Sequence, residues 1–497
     1  PWLHRAPTNA REYRLARVAQ ATSPRALIDA RFVPLRLAGD ASGGSSPMPA
    51  REPFGSLEAF LERAAATAVV VLGPPGSGKS TLLRRFELTA AVDGLAGEPA
   101  PITLLASLGM FQAADDDAPA SPAAWLAAAW ARRAPGLPPL DALLEEGGVV
   151  LLLDGLDELP RAGRALGDSA VRPWQDWVQA LAESATRSGL PNRAVFTCRA
   201  LDYTLPLSRP SVPVPQAWVE PLAGEAVPQL VRAYAGGDSD RVDSVLARLG
   251  ASSEAERAVL RLPFYLRLFA EQPPDEGALA GPTALLADGV RRALVREIER
   301  GHPALASGPL LTDHDRRRLI GTAAPVPARD LALEGPLLDR LSALGAALHE
   351  QASARSDGGR GRAGRAEVRA LLGEADAPAI LAAAEALAIL DADVERDEVR
   401  FVHQLLQEYF AARWVGRDPA DLARRVAALW RADAVRPSLE ETLDGLGATE
   451  ALPPLPSTGW ETVAELAVAL SESPAEWVAR LEGVNLPLAG RCAALPG

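Results

Sequence analysis

The chain has 497 residues, with 51 Lys+Arg against 64 Asp+Glu and a formal net charge of −13. That length holds about three or four modules of roughly 100–200 residues, and 48% hydrophobic with 23% charged residues excludes wholesale disorder. The acidic balance argues against general nucleic-acid binding, though not against a local basic patch. Two cysteines, Cys198 and Cys492, can build neither a disulfide framework nor a zinc knuckle, so a reducing, cytoplasmic setting is expected.

No run reaches 18 uninterrupted apolar residues: Ala64–Leu72 and Val149–Leu153 are too short to span a bilayer. The N-terminal segment carries Arg5, Arg11, Arg14 and Arg17 and lacks the apolar region of a signal peptide. A chain starting at Pro1 without Met is expected to be a fragment or processed product. Of the 51 basic residues, Lys79 alone is a lysine, a bias expected of a GC-rich genome.

Residues 1–50 read as a helical linker region ending in a Gly/Ser/Pro stretch at Gly39–Pro49. Ser56 can cap a helix over Ser56–Ala66. Ala68–Leu72 is a valine-rich run of the kind buried on both faces of a parallel sheet, and the helix Ser80–Val92 follows. Ile102–Leu105, Val149–Leu153 and Ala194–Thr197 are further buried strands; helices over Pro122–Arg133 and about Pro173–Ser188 lie between them. This alternation predicts an α/β domain, a parallel sheet flanked by helices, over 51–222.

From Gly224 helices dominate: Glu225–Tyr234, Arg241–Leu249, Glu254–Phe269, Leu285–Arg300 and Arg316–Ile320, a helical domain spanning 223–320. Ser353–Gly364 reads as a solvated low-complexity loop. Helices Ala366–Leu372 and Pro378–Leu387 precede a hairpin of Ile389–Leu390 and Val399–Phe401 around Asp391–Glu398, then a helix His403–Trp414. That arrangement predicts a winged-helix domain over 321–416. Residues 417–497 form a second helical domain.

The chemistry concentrates in three strand ends. Gly73-Pro74-Pro75-Gly76-Ser77-Gly78-Lys79-Ser80 fits the phosphate-loop pattern G-x-x-x-x-G-K-[ST] between a strand and a helix, with Thr81 next in line. Glycines let backbone N–H groups wrap a phosphate, and the helix N-terminus adds positive charge. Lys79 reaches the β- and γ-phosphates, and Ser80 supplies an oxygen to Mg²⁺. A chance Gly-rich turn is the competing reading. A sole lysine placed at random among the basic positions would fall here about once in fifty, and a compact ammonium suits a closed loop better than a planar guanidinium.

Val149–Leu153 ends in Asp154, a second Mg²⁺ ligand. Asp157 and Glu158 follow, where a carboxylate can orient attacking water or accept its proton; an acidic turn capping the next helix is the alternative. Thr197-Cys198-Arg199 ends the third strand, so Arg199 sits where open α/β sheets collect ligands and can contact a γ-phosphate, a surface role being its rival.

Together the phosphate loop, Asp154–Glu158 (DGLDE) and Thr197-Cys198-Arg199 resemble the NACHT NTPases of the signal-transducing STAND branch. Leu262-Pro263-Phe264-Tyr265-Leu266 resembles that family's helical-domain proline motif, and Phe401–Ala412 (FVHQLLQEYFAA) its winged-helix motif. Phe32-Val33-Pro34-Leu35 sits where the family has an adenine-side linker. The resemblance implies ATP/ADP and Mg²⁺ as cofactors, with Pro263, Val33 and Pro34 near the base and His403 on the β-phosphate of ADP. A capping or core histidine is the alternative for His403, and Glu408 and Tyr409 read as helix-packing residues.

The implied activity is a slow ATPase switch: an ADP-bound closed monomer that opens and self-associates, in a bacterial member serving defence against phage or another stress. A trigger, expected to be protein, would act through a C-terminal sensor beyond this sequence. An ATP-driven motor of the AAA+ kind and a non-hydrolysing ADP-bound scaffold are the competing functions.

Overall fold

The computed structural model describes residues 6–22, 31–39, 52–111, 121–159, 161–162, 165–166, 168–203, 205–209, 211–235, 238–272, 281–321, 331, 333–354, 362–393, 398–427 and 457–495. The chain divides into two compact units, the first built on Pro1–Ala233 and the second on Tyr234–Ala354, Gly359–Ala432 and Ser457–Gly497.

In the first unit α1 (Ala10–Ala21) starts where the Asn9 side chain accepts the Glu12 N–H. Short strands β1 (Leu37–Gly39) and β2 (Glu52–Phe54) follow, then α2 (Leu57–Ala64), capped by Ser56 as the sequence predicts. The alternation continues through β3 (Ala68–Gly73), α3 (Lys79–Ala96), β4 (Ile102–Ser107), α4 (Pro122–Arg133), α5 (Leu140–Glu146) and β5 (Val149–Asp154). A small antiparallel pair, β6 (Arg161–Ala162) and β7 (Ala165–Leu166), leads to α6 (Asp168–Glu183), β8 (Arg193–Arg199), β9 (Gln216–Val219) and α7 (Ala226–Tyr234).

The main sheet has the order β2-β1-β9-β3-β8-β5-β4. Its five strands from β9 to β4 are parallel, and β1 and β2 extend it antiparallel at one edge. The parallel sheet is thus as expected, while β9 and the two-strand edge are additions. All six residues of β3 are buried, each large aliphatic side chain contributing about 1.5–3 kcal/mol on burial. One face of the sheet packs on aromatics: Trp174 meets Phe111, Trp125, Trp177 and Phe196 edge-on at 5.2–6.0 Å.

The helix expected at about Pro173–Ser188 begins five residues earlier and stops at Glu183. Pro173 lies inside it, withholding only the N–H that would meet the Ser169 carbonyl. Of the Gly/Ser/Pro stretch expected at Gly39–Pro49, Gly39 ends β1 and residues 40–49 lie outside the description.

The second unit is helical around a three-stranded sheet. Its elements are α8 (Ser239–Ala251), α9 (Glu254–Leu260), α10 (Pro263–Ala270), α11 (Pro282–Glu299), α12 (Pro303–Ala306), α13 (Asp313–Gly321) and α14 (Leu337–Ala354). They continue as β10 (Arg362–Gly364), α15 (Arg365–Leu372), α16 (Ala377–Ala386), β11 (Leu390–Asp393), β12 (Glu398–Phe401) and α17 (Gln404–Val415). The last are α18 (Pro419–Arg425), α19 (Glu461–Leu470), α20 (Pro474–Glu482) and α21 (Leu486–Ala493).

Two expectations are corrected here. The single helix over Glu254–Phe269 is two helices: Ser253 and Glu256 form a capping box on α9, and Pro263 restarts the chain as the first residue of α10. Of the loop expected over Ser353–Gly364, residues 355–361 lie outside the description and Arg362–Gly364 is a strand, pairing Ala363 with Val399. The expected hairpin forms with Leu390 opposite Phe401. Helices α14 and α17 approach closely: a Cβ on Gly345 would lie 3.0 Å from the Ala411 nitrogen. Glu408 and Tyr409 are fully buried on α17.

Candidate nucleotide-binding site

The parallel register aligns the strand ends that carry the chemistry. Gly73 of β3 lies beside Arg199 of β8, and Asp154 of β5 beside Ser107 of β4. After β3, the Ser77 N–H closes a turn on the Pro74 carbonyl at 3.2 Å. Gly76 (φ 77°) and Gly78 (φ 94°) take left-handed conformations that tighten the loop onto α3. No side chain caps the N-terminus of α3, so its first N–H groups have no side-chain cap as acceptor.

Lys79 Nζ folds back over the loop, donating to the carbonyls of Gly73 at 2.8 Å and Pro74 at 3.0 Å. The residue is half-buried. Burial of the ammonium lowers its pKa; the Asp157 charge opposes this shift, Arg199 reinforces it, and Asp154 opposes it more weakly. Ser80 Oγ donates to Asp154 Oδ1 at 3.1 Å. Thr81 is exposed.

Beyond β5, Gly155 (φ 84°) turns the chain into a short helical turn, Leu156–Glu158. A Cβ on Gly155 would lie 2.8 Å from the Glu158 carboxyl carbon. Asp157 is turned inward: its Oδ1 accepts the Arg199 N–H at 3.2 Å, and its Oδ2 lies 3.4 Å from Arg199 Nε. Both side chains are buried, at 5% and 8% exposure. Glu158 is only partly buried, with Oε2 3.5 Å from Ser107 Oγ.

The predicted residues Lys79, Ser80, Asp154, Asp157, Glu158 and Arg199 therefore converge at one end of the sheet. Val33 is buried beside β1 and Pro34 is exposed. In the second unit His403 is the N-cap of α17: its Nδ1 accepts the Leu405 N–H at 3.1 Å, which leaves Nε2 to carry the proton of the neutral ring. Phe264, the neighbour of Pro263, stacks on the His403 ring at 4.1 Å and 22°.

Three participants have no role assigned from sequence, although Thr197 and Phe264 lie within motifs identified there. Thr197 Oγ1 donates to Asp154 Oδ1 at 2.6 Å and accepts the Gly155 N–H at 2.9 Å. It shares a strand face with Arg199 two residues on, a period-2 signal that could have found it. Phe264 sits in the Leu262–Leu266 motif next to Pro263, and Ser107 carried no such signal.

Whether these residues suit a Mg²⁺–nucleoside phosphate can be judged from the loop itself. Ser77 Oγ is buried inside it with no hydrogen-bond partner among the described residues. The uncapped helix end, the left-handed glycines, an ammonium and the Ser80–Asp154 pair supply donors for phosphate and hard oxygens for a divalent cation. They fit. Among the described residues no cluster of three or more His, Cys, Asp or Glu could hold a metal by itself.

A parallel sheet with a phosphate loop after β3 and a carboxylate ending β5 defines a P-loop NTPase domain. More particularly, residues 67–211 match the NACHT domain family. No curated protein matches the chain. Among solved structures the Aeropyrum pernix ORC2 protein, in its ADPNP–ADP complexes, aligns at 14% identity over 70% of this chain and 89% of that one. The TM-score is 0.22. Among the described residues no helix is long and apolar enough to cross a membrane.

Proposed function

We propose that the chain is a nucleotide-controlled signalling switch of the NACHT and STAND kind, with slow regulatory ATPase activity. The observation behind this reading is Arg199 buried on Asp157 at the end of β8, beside Gly73 where the phosphate loop begins. An arginine already held by a carboxylate can exchange that partner for a phosphate oxygen, so two nucleotides differing by one phosphoryl group acquire different affinities for two arrangements of the loop. Driving such an equilibrium from 1:99 to 99:1 takes a differential of about 5.5 kcal/mol.

Lys79 and the N–H groups of Gly76–Ser80 would bind phosphate; Ser80 and Asp154 would hold Mg²⁺. The ion, when bound, neutralises charge on the phosphate oxygens. Glu158, with its carboxylate partly exposed, suits the orienting of water, whereas Asp157 holds Arg199 until a phosphate takes its place. Pro263 and His403 are assigned to base and diphosphate on motif resemblance alone. On the same resemblance the 321–416 region acts as a winged helix, and the ADP form is a closed, cytoplasmic monomer whose opening permits self-association. Its trigger is a protein, and its setting is bacterial defence against phage or another stress.

The test is to identify the nucleotide released on denaturing purified protein and to follow its exchange and turnover. Co-purified ADP, slow hydrolysis and ATP-dependent self-association are expected, all lost in Lys79→Ala. Fast steady turnover driven by a polymer substrate would point to a motor. ADP that excess ATP cannot displace would point to a scaffold.

A further inference from the structure

The hydroxyl of Thr197 occupies a position that the phosphate-loop chemistry leaves unexplained. It is 1% exposed, at the third residue from the end of β8, and ties together two groups from β5 and its turn. It gives its proton to Asp154 Oδ1 at 2.6 Å and takes the Gly155 N–H at 2.9 Å. Ser80 Oγ donates to the same Oδ1 at 3.1 Å. Asp154 is held through one oxygen by hydroxyls from the end of β8 and from the first turn of α3, which limits the rotation of the carboxylate. Because Thr197 also accepts from Gly155, one side chain sets both the carboxylate and the left-handed turn that carries Asp157 and Glu158.

We propose that Thr197 is a positioning residue for divalent-cation binding: its hydroxyl fixes Asp154 for Mg²⁺ without itself touching the ion or the nucleotide. The assignment rests on the nucleotide reading above and adds the residue that orients its metal ligand. Hydrogen bonds from outside the ligand set typically govern metal affinity by about 10–100-fold. A methyl in place of the hydroxyl would leave Asp154 with one anchor, free to rotate; it would leave the phosphate-binding N–H groups and Lys79 where they are.

The experiment measures ADP affinity of the full chain by calorimetry, once in EDTA and once across a Mg²⁺ titration, in wild type, Thr197→Val and Thr197→Ser. Thr197→Val is expected to raise the Mg²⁺ concentration for half-maximal tightening by about 10-fold or more while ADP affinity in EDTA stays within about twofold. Thr197→Ser, which keeps the hydroxyl, should restore the wild-type Mg²⁺ dependence. In an Asp154→Asn background, Thr197→Val should change nothing further. A wild-type Mg²⁺ midpoint in folded Thr197→Val overturns the assignment, as does an equal loss of ADP affinity in EDTA, which would mean Thr197 shapes only the loop. Should Thr197→Val fail to fold, a Thr197→Ser midpoint shifted as far as that of Asp154→Asn overturns it, and a wild-type midpoint supports it. Wild-type protein that binds ADP with no Mg²⁺ effect would overturn this assignment and leave the phosphate loop standing; no ADP binding at all would remove the nucleotide reading itself.

Discussion

Arg199 and Asp157 are joined twice: the Arg199 N–H donates to Oδ1 at 3.2 Å, and its guanidinium Nε lies 3.4 Å from Oδ2. A side-chain ion pair and a main-chain hydrogen bond thereby fix the DGLDE turn to the end of β8. Taking such charges out of water is costly, and their mutual attraction offsets the cost only while both are present. Asp157→Ala is expected to destabilise the first unit by about 3–5 kcal/mol, because it leaves a buried guanidinium without its carboxylate. Pairing it with Arg199→Met should recover much of that loss. Urea unfolding of the two singles and the double checks this; strictly additive losses would mean that the pair is not coupled.

Lys79 gives the site its pH dependence. Burial lowers its pKa, so without nucleotide the ammonium deprotonates below the usual lysine range. A charged group disfavoured in the native state makes unfolding free energy rise with pH between that lowered pKa and the unfolded value near 10.4. Phosphate binding acts in the opposite sense, since an anion holds the proton on and raises the pKa again. Nucleotide affinity should therefore be flat at neutral pH and fall as the pH climbs through the lowered pKa, by at most about tenfold per pH unit. Calorimetry in alkaline buffers of different ionisation enthalpy should register proton uptake on ADP binding. Affinity that rises with pH there would contradict this role for the ammonium.

The sequence made the phosphate loop legible because each of its demands falls on consecutive residues: two left-handed glycines, a lysine and a hydroxyl. Strands β3, β5 and β8 were equally plain, since burial on both faces leaves an unbroken run of valine, leucine and phenylalanine. Strand β10 was hidden for the opposite reason: Arg362, Ala363 and Gly364 have no strand-forming character, and pairing with β12 decides their conformation. The Asp157–Arg199 partnership was hidden too. It spans 42 residues and depends on which way one carboxylate turns after Gly155. The proline that splits α9 from α10 was visible, but the apolar spacing on either side of Pro263 masked the break.

His403 has two separable tasks. As N-cap it accepts the Leu405 N–H through Nδ1, and as a ring it stacks on Phe264 at 4.1 Å. His403→Ala removes both and should cost α17 about 1 kcal/mol from the cap alone. His403→Asn restores a capping oxygen without restoring the ring. If the imidazole also holds ADP, both variants should release ADP faster, while only His403→Ala loses the cap's share of stability. Phe264→Leu should fall between wild type and His403→Asn in release rate. Stopped-flow release of a fluorescent ADP analogue, read beside urea melts, separates these outcomes; unchanged release in His403→Asn would confine the histidine to capping.

The exposed edge of the main sheet is closed by side chains from two helices. β4 is the outermost parallel strand, and its Thr103 and Leu105 carbonyls accept from Tyr13 Oη at 2.7 Å and from Arg133 at 2.6 Å. Arg133 is in turn paired with Glu87 of α3 at 3.2 Å, so the helix that begins at the phosphate loop shares in the closure. An edge strand left open is a template for pairing with another chain, which gives α1 a reason to be part of the first unit. Tyr13 is 1% exposed, and removing its hydroxyl would leave the Thr103 carbonyl without this donor, a loss of about 1–3 kcal/mol for a buried acceptor. Tyr13→Phe should therefore lower the urea midpoint and speed hydrogen exchange in α1 and along β4. The effect on α3 should be smaller, because the Arg133–Glu87 pair persists. Equal acceleration throughout the sheet would mean that the hydroxyl supports the whole unit rather than its edge.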